Sequence, residues 1–206
     1  AGVRRFIYAS SSFVYGQNDK MPQEETHLPQ PTTPYGVSKL AGEHYCQTFS
    51  KTYGLETVIL RYFNVFGPHQ DPESKYSTVI PAFISAVARG EPLEIHGDGK
   101  QSRDFTYVDD VVRANMLALE APGVAGMVFN IANGKSRSVL EVADAIVRIL
   151  GRDPGRQHTE PRRGDIHKTW ANINRARQLM GYEPQVGFED GLRRAVEYFR
   201  CSGLIV

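Results

Sequence analysis

The hydrophobic pattern along the chain alternates between short, continuous apolar runs and longer stretches with helical spacing. The runs Arg5–Ala9, Thr57–Arg61 and Val128–Ile131 have the length and the continuous apolar character of strands that are buried in a parallel sheet. Helical stretches separate these runs. The pattern therefore predicts an α/β fold with a parallel sheet.

Local capping signals place the main helices. Thr33-Pro34 supplies an N-cap and a first-turn proline for a helix from about Tyr35 to Tyr53, which Gly54 ends. Ser138 caps a second helix that runs through Leu150. Further helices are predicted at residues 78–89, 109–121, 174–180 and 188–200, and short strands at 93–96 and 104–108.

Length and charge limit the functional classes. The chain has 206 residues, a length that is enough for one good-sized domain. Its formal net charge of +1 shows no polyanion-binding signature. We therefore expect no nucleic-acid partner. No apolar run approaches the length of a membrane span and no signal peptide is visible, so we expect no membrane partner and a cytoplasmic location.

Cysteine and histidine usage argues against a metal centre. The two cysteines, Cys46 and Cys201, are far apart and form no CxxC motif, and the six histidines form no cluster of the HExxH type. Arginines instead recur at residues 152, 156, 162 and 163, which suits a small ligand that carries phosphate. We expect no metal site and no disulfide framework.

The most informative side chains are Tyr35 and Lys39, which are separated by one helical turn. Residues at this spacing share a helix face, and an adjacent ammonium group favours a phenolate over a phenol. Upstream, Ser10–Ser12 follow the first apolar run, at the end of a strand where parallel sheets bind ligands. A hydroxyl cluster and a potential base are therefore expected at one edge of the sheet.

Together, the cluster Ser10–Ser12, the run Val14-Tyr15-Gly16 and the run Tyr35-Gly36-Val37-Ser38-Lys39 resemble the extended short-chain dehydrogenase/reductase family. More narrowly, they resemble its NAD-dependent nucleotide-sugar epimerases and dehydratases, of the UDP-glucose 4-epimerase type. The resemblance implies the C-terminal portion of a Rossmann-type parallel sheet with a smaller α/β substrate-binding subdomain. It also implies a glycine-rich cofactor turn that would precede Ala1, because no G-x-x-G-x-x-G run occurs in the sequence.

The same resemblance implies a division of the chain. Residues 1–76 would form part of the NAD-binding domain with the catalytic residues, and residues 77–206 would mainly bind the nucleotide sugar. One strand near residues 127–132 would return to the Rossmann sheet. For the full-length enzyme the resemblance implies a homodimer.

The resemblance also assigns the catalytic and cofactor-binding residues. Tyr35 would be the catalytic base, assisted by Lys39, and Ser11, which lies four residues before Tyr15, would relay the proton. The residues implied for binding NAD are Tyr35, Lys39, Ser11, Tyr62 and Phe63.

A second set of residues is implied for binding a UDP-sugar. Asn64, Arg103 and Arg162 would contact the phosphates, and Asp165 a ribose hydroxyl. Leu93 and His96 would pack on the uracil, with Thr78 and Val79 lining the same pocket.

The residues after Ser11 bear on the reaction. Sugar 4,6-dehydratases of the family carry an Asp-Glu pair there, whereas this chain has Ser12 and Phe13. The resemblance therefore favours 4-epimerisation of a UDP-hexose through a transient 4-keto intermediate. The alternatives are another NAD(P)-dependent dehydratase or reductase, or an inactive fragment that binds nucleotide sugars. Thr169 stands where relatives restricted to unmodified hexoses carry Tyr, which leaves N-acetylhexosamines and uronic acids open.

Overall fold

The strands and helices expected from the sequence are present in a computed structural model, which describes residues 2–72, 78–162 and 166–205. Within these residues the helices are α1 (Pro34–Tyr53), α2 (Val79–Arg89), α3 (Val108–Glu120), α4 (Val139–Leu150), α5 (Asn174–Met180) and α6 (Phe188–Cys201). The strands in the same residues are β1 (Arg5–Ser11), β2 (Glu56–Tyr62), β3 (Val65–Phe66), β4 (Leu93–His96), β5 (Ser102–Asp104), β6 (Thr106–Tyr107), β7 (Val128–Ile131), β8 (Ser136–Ser138) and β9 (Arg156–Thr159). The predicted α/β class is confirmed.

The three continuous apolar runs form one parallel sheet with the strand order β1-β2-β7. Ile59 in the middle strand is level with Tyr8 on one side and with Val128 on the other. All three strands run in the same direction, so their carboxyl ends lie along one edge of the sheet. Ser11, the last residue of β1, lies at that edge.

Helices cover both faces of this sheet. On one face, Cys46 of α1 packs with Ile59 and Val128. On the other face, Val111 and Ala114 of α3 belong to the same hydrophobic cluster as Leu60 of β2. Strands β2 and β7 are therefore buried on both sides, as their continuous apolar sequences require, whereas β1 is partly exposed, with Phe6 at 46%.

The ends of α1 follow the predicted signals. The Thr33 hydroxyl accepts a hydrogen bond from the Gly36 amide at 3.1 Å, and Pro34 occupies the first turn. Gly54 ends the helix with a φ of 70°, a left-handed conformation that glycine adopts without steric cost. These caps place Tyr35 in the first turn of the helix, beside the carboxyl end of β1.

A second hydrophobic cluster lies among α2, α4 and α6 and beneath the parallel pair β4–β9. Its largest fully buried side chains are Phe66, Ile80, Ile84, Leu93, Ile95 and Phe199. The expected boundary between residues 76 and 77 lies outside the described residues, and the division into two domains stays a prediction.

The structure differs from the sequence expectation at residues 104–108, where one strand was predicted. β5 pairs antiparallel with β8, whereas β6 pairs parallel with β3, and α3 already begins at Val108. The chain changes pairing partner here because the Asp104 carboxylate is bound by backbone amides of another segment. The amides of Asn133 and Gly134 donate to it at 3.0 and 3.1 Å.

Candidate active site and substrate pocket

The three serines at the end of β1 have different surroundings. Ser10 is buried and donates a hydrogen bond to the Glu43 carboxylate of α1. The hydroxyl oxygen of Ser11 accepts a hydrogen bond from the Phe13 amide at 3.2 Å. Ser12 is buried in the short 3₁₀ turn Ser12–Tyr15. All three serines are buried, and within the described residues the Ser11 hydroxyl is hydrogen-bonded only to the turn that follows β1.

Tyr35 and Lys39 lie on the same face of α1, as their spacing predicts. The Lys39 ammonium donates to the Ala9 carbonyl oxygen at 2.8 Å, and its Nζ lies 5.7 Å from the centroid of the Tyr35 ring. The Tyr35 side chain is 51% exposed. The β1 backbone thus holds a cation beside a phenol that a ligand can reach.

The turn after Ser11 packs directly against the start of α1. The Phe13 ring meets the Tyr35 ring edge to face, with centroids 5.7 Å apart. This approach depends on Gly36, because a Cβ there would lie 2.6 Å from the Phe13 carbonyl oxygen and 2.9 Å from Cβ of Pro31. Gly36 thus has a packing role that the sequence motif alone does not reveal.

Beside this turn lies a cavity of about 500 Å³, a size typical of small-molecule sites. Phe13 forms part of its wall, so the cavity begins at the side chain that packs on Tyr35. Of the residues predicted to bind a nucleotide sugar, the cavity is lined by Asn64, Thr78, Val79, His96, Arg103 and Arg162. The fold thus brings together side chains from widely separated parts of the chain.

Two predicted contacts are corrected by the structure. Leu93 is fully buried in the hydrophobic cluster beneath β4, and its neighbours Pro92 and Glu94 line the cavity instead. Phe63 is also fully buried, with its ring 6.2 Å from that of Tyr15, so it presents no surface to a cofactor. In both cases the side chain contributes to a core. Asp165 lies outside the described residues.

Tyr62, the other predicted cofactor contact, is partly buried. Its hydroxyl donates to the Asn115 side-chain oxygen at 2.9 Å, and burial raises the pKa of its phenol. Tyr62 is level with Ser11 in the sheet register, at the same carboxyl edge. The hydrogen bond fixes its ring against α3.

The polar residues of the cavity are held by neighbouring groups. The Asn64 side-chain oxygen accepts from the Thr169 hydroxyl at 3.3 Å, and the His96 ring lies 2.8 Å from the Thr159 hydroxyl. One Arg103 nitrogen donates to the Ser102 carbonyl oxygen at 2.9 Å. The pocket side chains are therefore oriented before any ligand binds.

Helix α2 supplies much of the apolar wall of the cavity, whereas the sequence analysis predicted only Val79 of this helix there. Ala82, Phe83 and Ala86 also line the cavity, at the spacing of one helix face. That helical periodicity is the signal that could have identified them. Polar lining residues outside the prediction are Arg89, Glu91, Glu94 and Gln101.

Asp104 is a second feature that the sequence reading missed. Asp104 follows the cavity residue Arg103 in the sequence. Its fully buried carboxylate accepts hydrogen bonds from the backbone amides of Asn133, Gly134 and Ala171. Burial raises the pKa of the Asp104 carboxyl to about 7, against the opposing effect of the backbone amides. Asp104 thus ties together three segments behind the pocket.

In residues 2–72, 78–162 and 166–205, no group of three or more His, Cys, Asp or Glu side chains is placed to hold a metal ion. No helix in that part of the chain has both the length and the apolar character needed to cross a bilayer.

The fold and the motif residues define a family. The chain belongs to the NAD dependent epimerase/dehydratase family, whose sequence pattern matches residues 1–132. NAD is the cofactor of this family.

Individual relatives are similar over nearly the whole chain. The chain is 38% identical over 196 residues to an uncharacterized UDP-glucose epimerase, YtcB, of Bacillus subtilis, which covers 95% of this chain and 60% of that protein. It is 34% identical to dTDP-D-glucose 4,6-dehydratase of Mus musculus, covering 97% of this chain and 57% of the mouse protein. The chain thus spans less than two thirds of the length of both curated relatives.

A solved structure gives the same result for the fold. The UDP-glucose 4-epimerase of Thermotoga maritima, solved with UDP-glucose, superimposes with a TM-score of 0.94 at 41% identity. The match covers 98% of this chain and 65% of that chain. The predicted Rossmann-type architecture is therefore confirmed.

Proposed function

We propose that the complete protein is an NAD-dependent epimerase that inverts C4 of a UDP-hexose through a transient 4-keto sugar. The observation that carries this proposal is the cavity of about 500 Å³ that is lined by Phe13, whose ring packs on the Tyr35 ring. It combines three arginines, Arg89, Arg103 and Arg162, with an apolar helix face, which suits a diphosphate joined to a base and a sugar. The proposal concerns the complete protein because this chain spans less than two thirds of the length of the relatives that it resembles.

The residues at the end of β1 fit the nicotinamide and ribose end of NAD. The Lys39 ammonium and the half-exposed Tyr35 phenol are hydrogen-bonding groups suited to ribose hydroxyls, and Ser11 lies at the same sheet edge. When bound, NAD would accept a hydride from the sugar carbon and return it to the opposite face.

The chain's own residues would manage the proton and the position of the sugar. Tyr35 would take the proton of the C4 hydroxyl as a general base, with the Lys39 ammonium stabilising the phenolate. Ser11 would relay the proton between the sugar hydroxyl and Tyr35. The same groups would return the proton after the 4-keto sugar has rotated in the pocket and presents its other face.

The pocket residues would hold the nucleotide while the sugar turns. Arg103 and Arg162 would bind the two phosphates, and a guanidinium group matches phosphate oxygens in a bidentate arrangement. Asn64 would add a side-chain amide contact, and His96 would stack on the uracil. Binding energy concentrated on the nucleotide leaves the hexose free to present either face to the cofactor.

A second candidate function is a nucleotide-sugar 4,6-dehydratase, because one relative at 34% identity carries that name. Elimination of water needs an acid and a base beside the catalytic serine. Ser12 is buried in its turn and Phe13 has no acidic or basic group, so the epimerase is favoured over the dehydratase. Release of a stable keto sugar, or net consumption of NAD(P)H, would instead indicate a dehydratase or a reductase.

The proposal is tested by incubating the complete protein with NAD and UDP-glucose, UDP-N-acetylglucosamine or UDP-glucuronate. Chromatography should detect the matching 4-epimer of at least one of these sugars. Tyr35→Phe should abolish conversion, whereas Tyr198→Phe, at a tyrosine of α6 that does not line the cavity, should not. Absence of any 4-epimer from the NAD-loaded protein would refute the proposal.

The present chain can be tested separately by calorimetry with UDP and with NAD. Binding of UDP without NAD would indicate that these 206 residues act as a nucleotide-sugar-binding fragment. Binding of both ligands would extend the proposal to this chain.

We also propose that the complete enzyme is a homodimer. Helix α1 carries exposed apolar side chains along one stripe, namely Val37, Tyr45, Phe49 and Tyr53. Their spacing of four or eight residues puts them on one helix face, and an apolar face of this length favours a partner surface. Sedimentation analysis should give a dimer, and a monomer at micromolar concentration would refute this part of the proposal.

A further inference from the structure

Glu43 and Arg61 form an ion pair inside the protein. Their side chains are 2% and 3% exposed, and Arg61 donates two hydrogen bonds to the Glu43 carboxylate, at 2.6 and 2.9 Å. Glu43 belongs to α1 and Arg61 to β2, so the pair connects the helix to the middle strand of the sheet.

Both members of the pair have a second partner. Ser10 of β1 donates a hydrogen bond to the Glu43 carboxylate. The guanidinium carbon of Arg61 lies 4.6 Å from the ring centroid of Tyr15, whose hydroxyl donates to Asn130 of β7 at 2.7 Å. The ion pair thus joins α1 to all three strands of the parallel sheet and to the 3₁₀ turn after β1.

These contacts lie directly beside the proposed catalytic groups. Glu43 follows Lys39 by four residues and Lys39 follows Tyr35 by four, so the three side chains share one face of α1. Ser10 immediately precedes Ser11. The hydrogen bond between Ser10 and Glu43 therefore limits how far α1 can rotate about its axis or shift along it relative to β1. It thereby fixes the position of Tyr35 relative to Ser11.

Stability alone does not account for a buried ion pair. Desolvation of two charges offsets much of their attraction, and apolar side chains of similar volume often stabilise a fold equally well. A charged pair has a property that apolar packing lacks, because its hydrogen bonds fix direction as well as distance. Such a pair is suited to hold a helix in one register against a sheet.

We propose that Glu43 and Arg61 are positioning residues that hold Tyr35 and Lys39 in register with Ser11 for proton transfer. This inference rests on the proposed function, because it assigns the role of the pair to that chemistry. Neither side chain lines the substrate cavity, so the pair acts through α1 and β1.

The test compares three variants of the complete, NAD-loaded protein with the wild type. Glu43→Gln keeps the shape but removes the charge, and the double variant Glu43→Met with Arg61→Met replaces the pair by apolar packing. Glu183→Gln is the matched control, since it breaks an exposed pair with Arg177 of the same 2.6 Å length. Each protein is assayed for kcat, KM and the midpoint of urea unfolding.

A positioning role predicts a loss in kcat with little change in KM. Displacement of catalytic groups by on the order of 1 Å costs about 100-fold in rate, so kcat of Glu43→Gln should fall by up to that factor. KM should stay within about twofold, since the nucleotide contacts are unchanged. The double variant should regain the unfolding midpoint of the wild type and still show the low kcat.

A second readout needs no substrate. Trace acetylation followed by peptide mass spectrometry compares the labelling of Lys39 with that of Lys51, an exposed lysine in the last turn of the same helix. Loss of register should weaken the bond from Lys39 to the Ala9 carbonyl. Labelling of Lys39 relative to Lys51 should then rise about fivefold, the factor that one such hydrogen bond contributes.

Two outcomes would overturn the inference. In the first, the double variant regains kcat together with its stability, which makes the pair a purely structural contact. In the second, the labelling ratio of Lys39 to Lys51 in Glu43→Gln equals that of the wild type. If the wild type converts no UDP-hexose, the proposed function fails, and the labelling ratio still decides whether the pair holds the register.

Discussion

The Phe13 ring stands edge-on to the Tyr35 ring, with the ring planes at 82° and the centroids 5.7 Å apart. Phe13 also forms part of the cavity wall. One side chain thus contacts both the proposed base and the proposed substrate space. This relationship links the chemistry of the β1 edge to the shape of the pocket.

We predict that Phe13→Ala lowers the turnover of the complete enzyme. The aromatic pair contributes about 1 kcal/mol beyond area burial, so kcat should fall about fivefold as Tyr35 gains alternative rotamers. Steady-state kinetics with the UDP-hexose that the wild type converts will measure the change. Phe13→Leu keeps apolar bulk and should lose less, and wild-type kcat in Phe13→Ala would contradict the prediction.

A second prediction concerns Gly36. Alanine favours helices over glycine by about 1 kcal/mol, yet a Cβ here would lie 2.6 Å from a backbone oxygen. We therefore expect Gly36→Ala to lower the free energy of unfolding by about 1–3 kcal/mol through overpacking, as measured by urea denaturation. Gly187→Ala is the control, since its added Cβ would meet nothing within 4 Å. Equal stability of the two variants would exclude the steric explanation.

Two arginines of the cavity, Arg103 and Arg162, give a third prediction, whose test distinguishes binding of the phosphates from binding of the base. Arg103→Ala and Arg162→Ala should each weaken UDP binding about 10- to 100-fold, because a hydrogen bond to a charged group contributes about 1.5–3 kcal/mol. Calorimetry with uridine should show no such loss, since uridine has no phosphate. Arg177→Ala, outside the cavity, should bind UDP like the wild type. A comparable loss for uridine would indicate a collapsed pocket.

Asp104→Asn should strongly destabilise the fold. An amide nitrogen would replace one of two carboxylate oxygens that accept backbone hydrogen bonds, which leaves at least one buried donor unpaired. The free energy of unfolding should fall by about 1–3 kcal/mol for each lost partner. Asp144→Asn, on the exposed side of α4, should leave the urea midpoint unchanged. A stable Asp104→Asn variant would contradict the anchoring role.

The pKa of Asp104 gives a dependence on pH. Its value of about 7 in the folded state lies above the ordinary 3.8, so the folded state binds this proton more tightly than the unfolded state. The resulting stability is complete below about pH 4 and is lost as the pH rises through 7. The stability difference between the wild type and Asp104→Asn should therefore narrow from pH 4 to pH 7, as urea titrations at several pH values can show. A difference that widens over this range would contradict the raised pKa.

Much of the fold could be predicted because its signals are local. The caps Thr33 and Gly54 bound α1, and continuous apolar runs mark the three strands of the parallel sheet. The strand β9 could not be predicted, since Arg156–Thr159 is polar and mostly exposed. These residues form a strand because they pair with β4. Strands of two or three residues, such as β3, likewise depend on distant partners.

The candidate site was predictable to a similar extent. Six residues that the family motifs predicted line the cavity, because these side chains lie in recognisable runs, and the role of Tyr35 stays a prediction. Leu93 was assigned to the wrong side, since strand alternation points it into the core and Glu94 outward. Asp104 and Glu43 were missed because their partners are amides and an arginine that are distant in sequence. In the sequence alone, a buried charged residue cannot be distinguished from an exposed one unless its partner is known.

The two hydrophobic clusters have a consequence for how such proteins can diversify. The apolar wall of the cavity comes from α2, which packs in the cluster around Ile80 and Ile84, whereas Ser11 and Tyr35 are supported by the parallel sheet and α1. Under the proposed function, substitutions on α2 would therefore change the cavity wall and leave the packing of α1 on the parallel sheet in place. If the proposed function holds, substrate preference and reaction chemistry could evolve separately, and the α2 face would be the target for redesigning specificity.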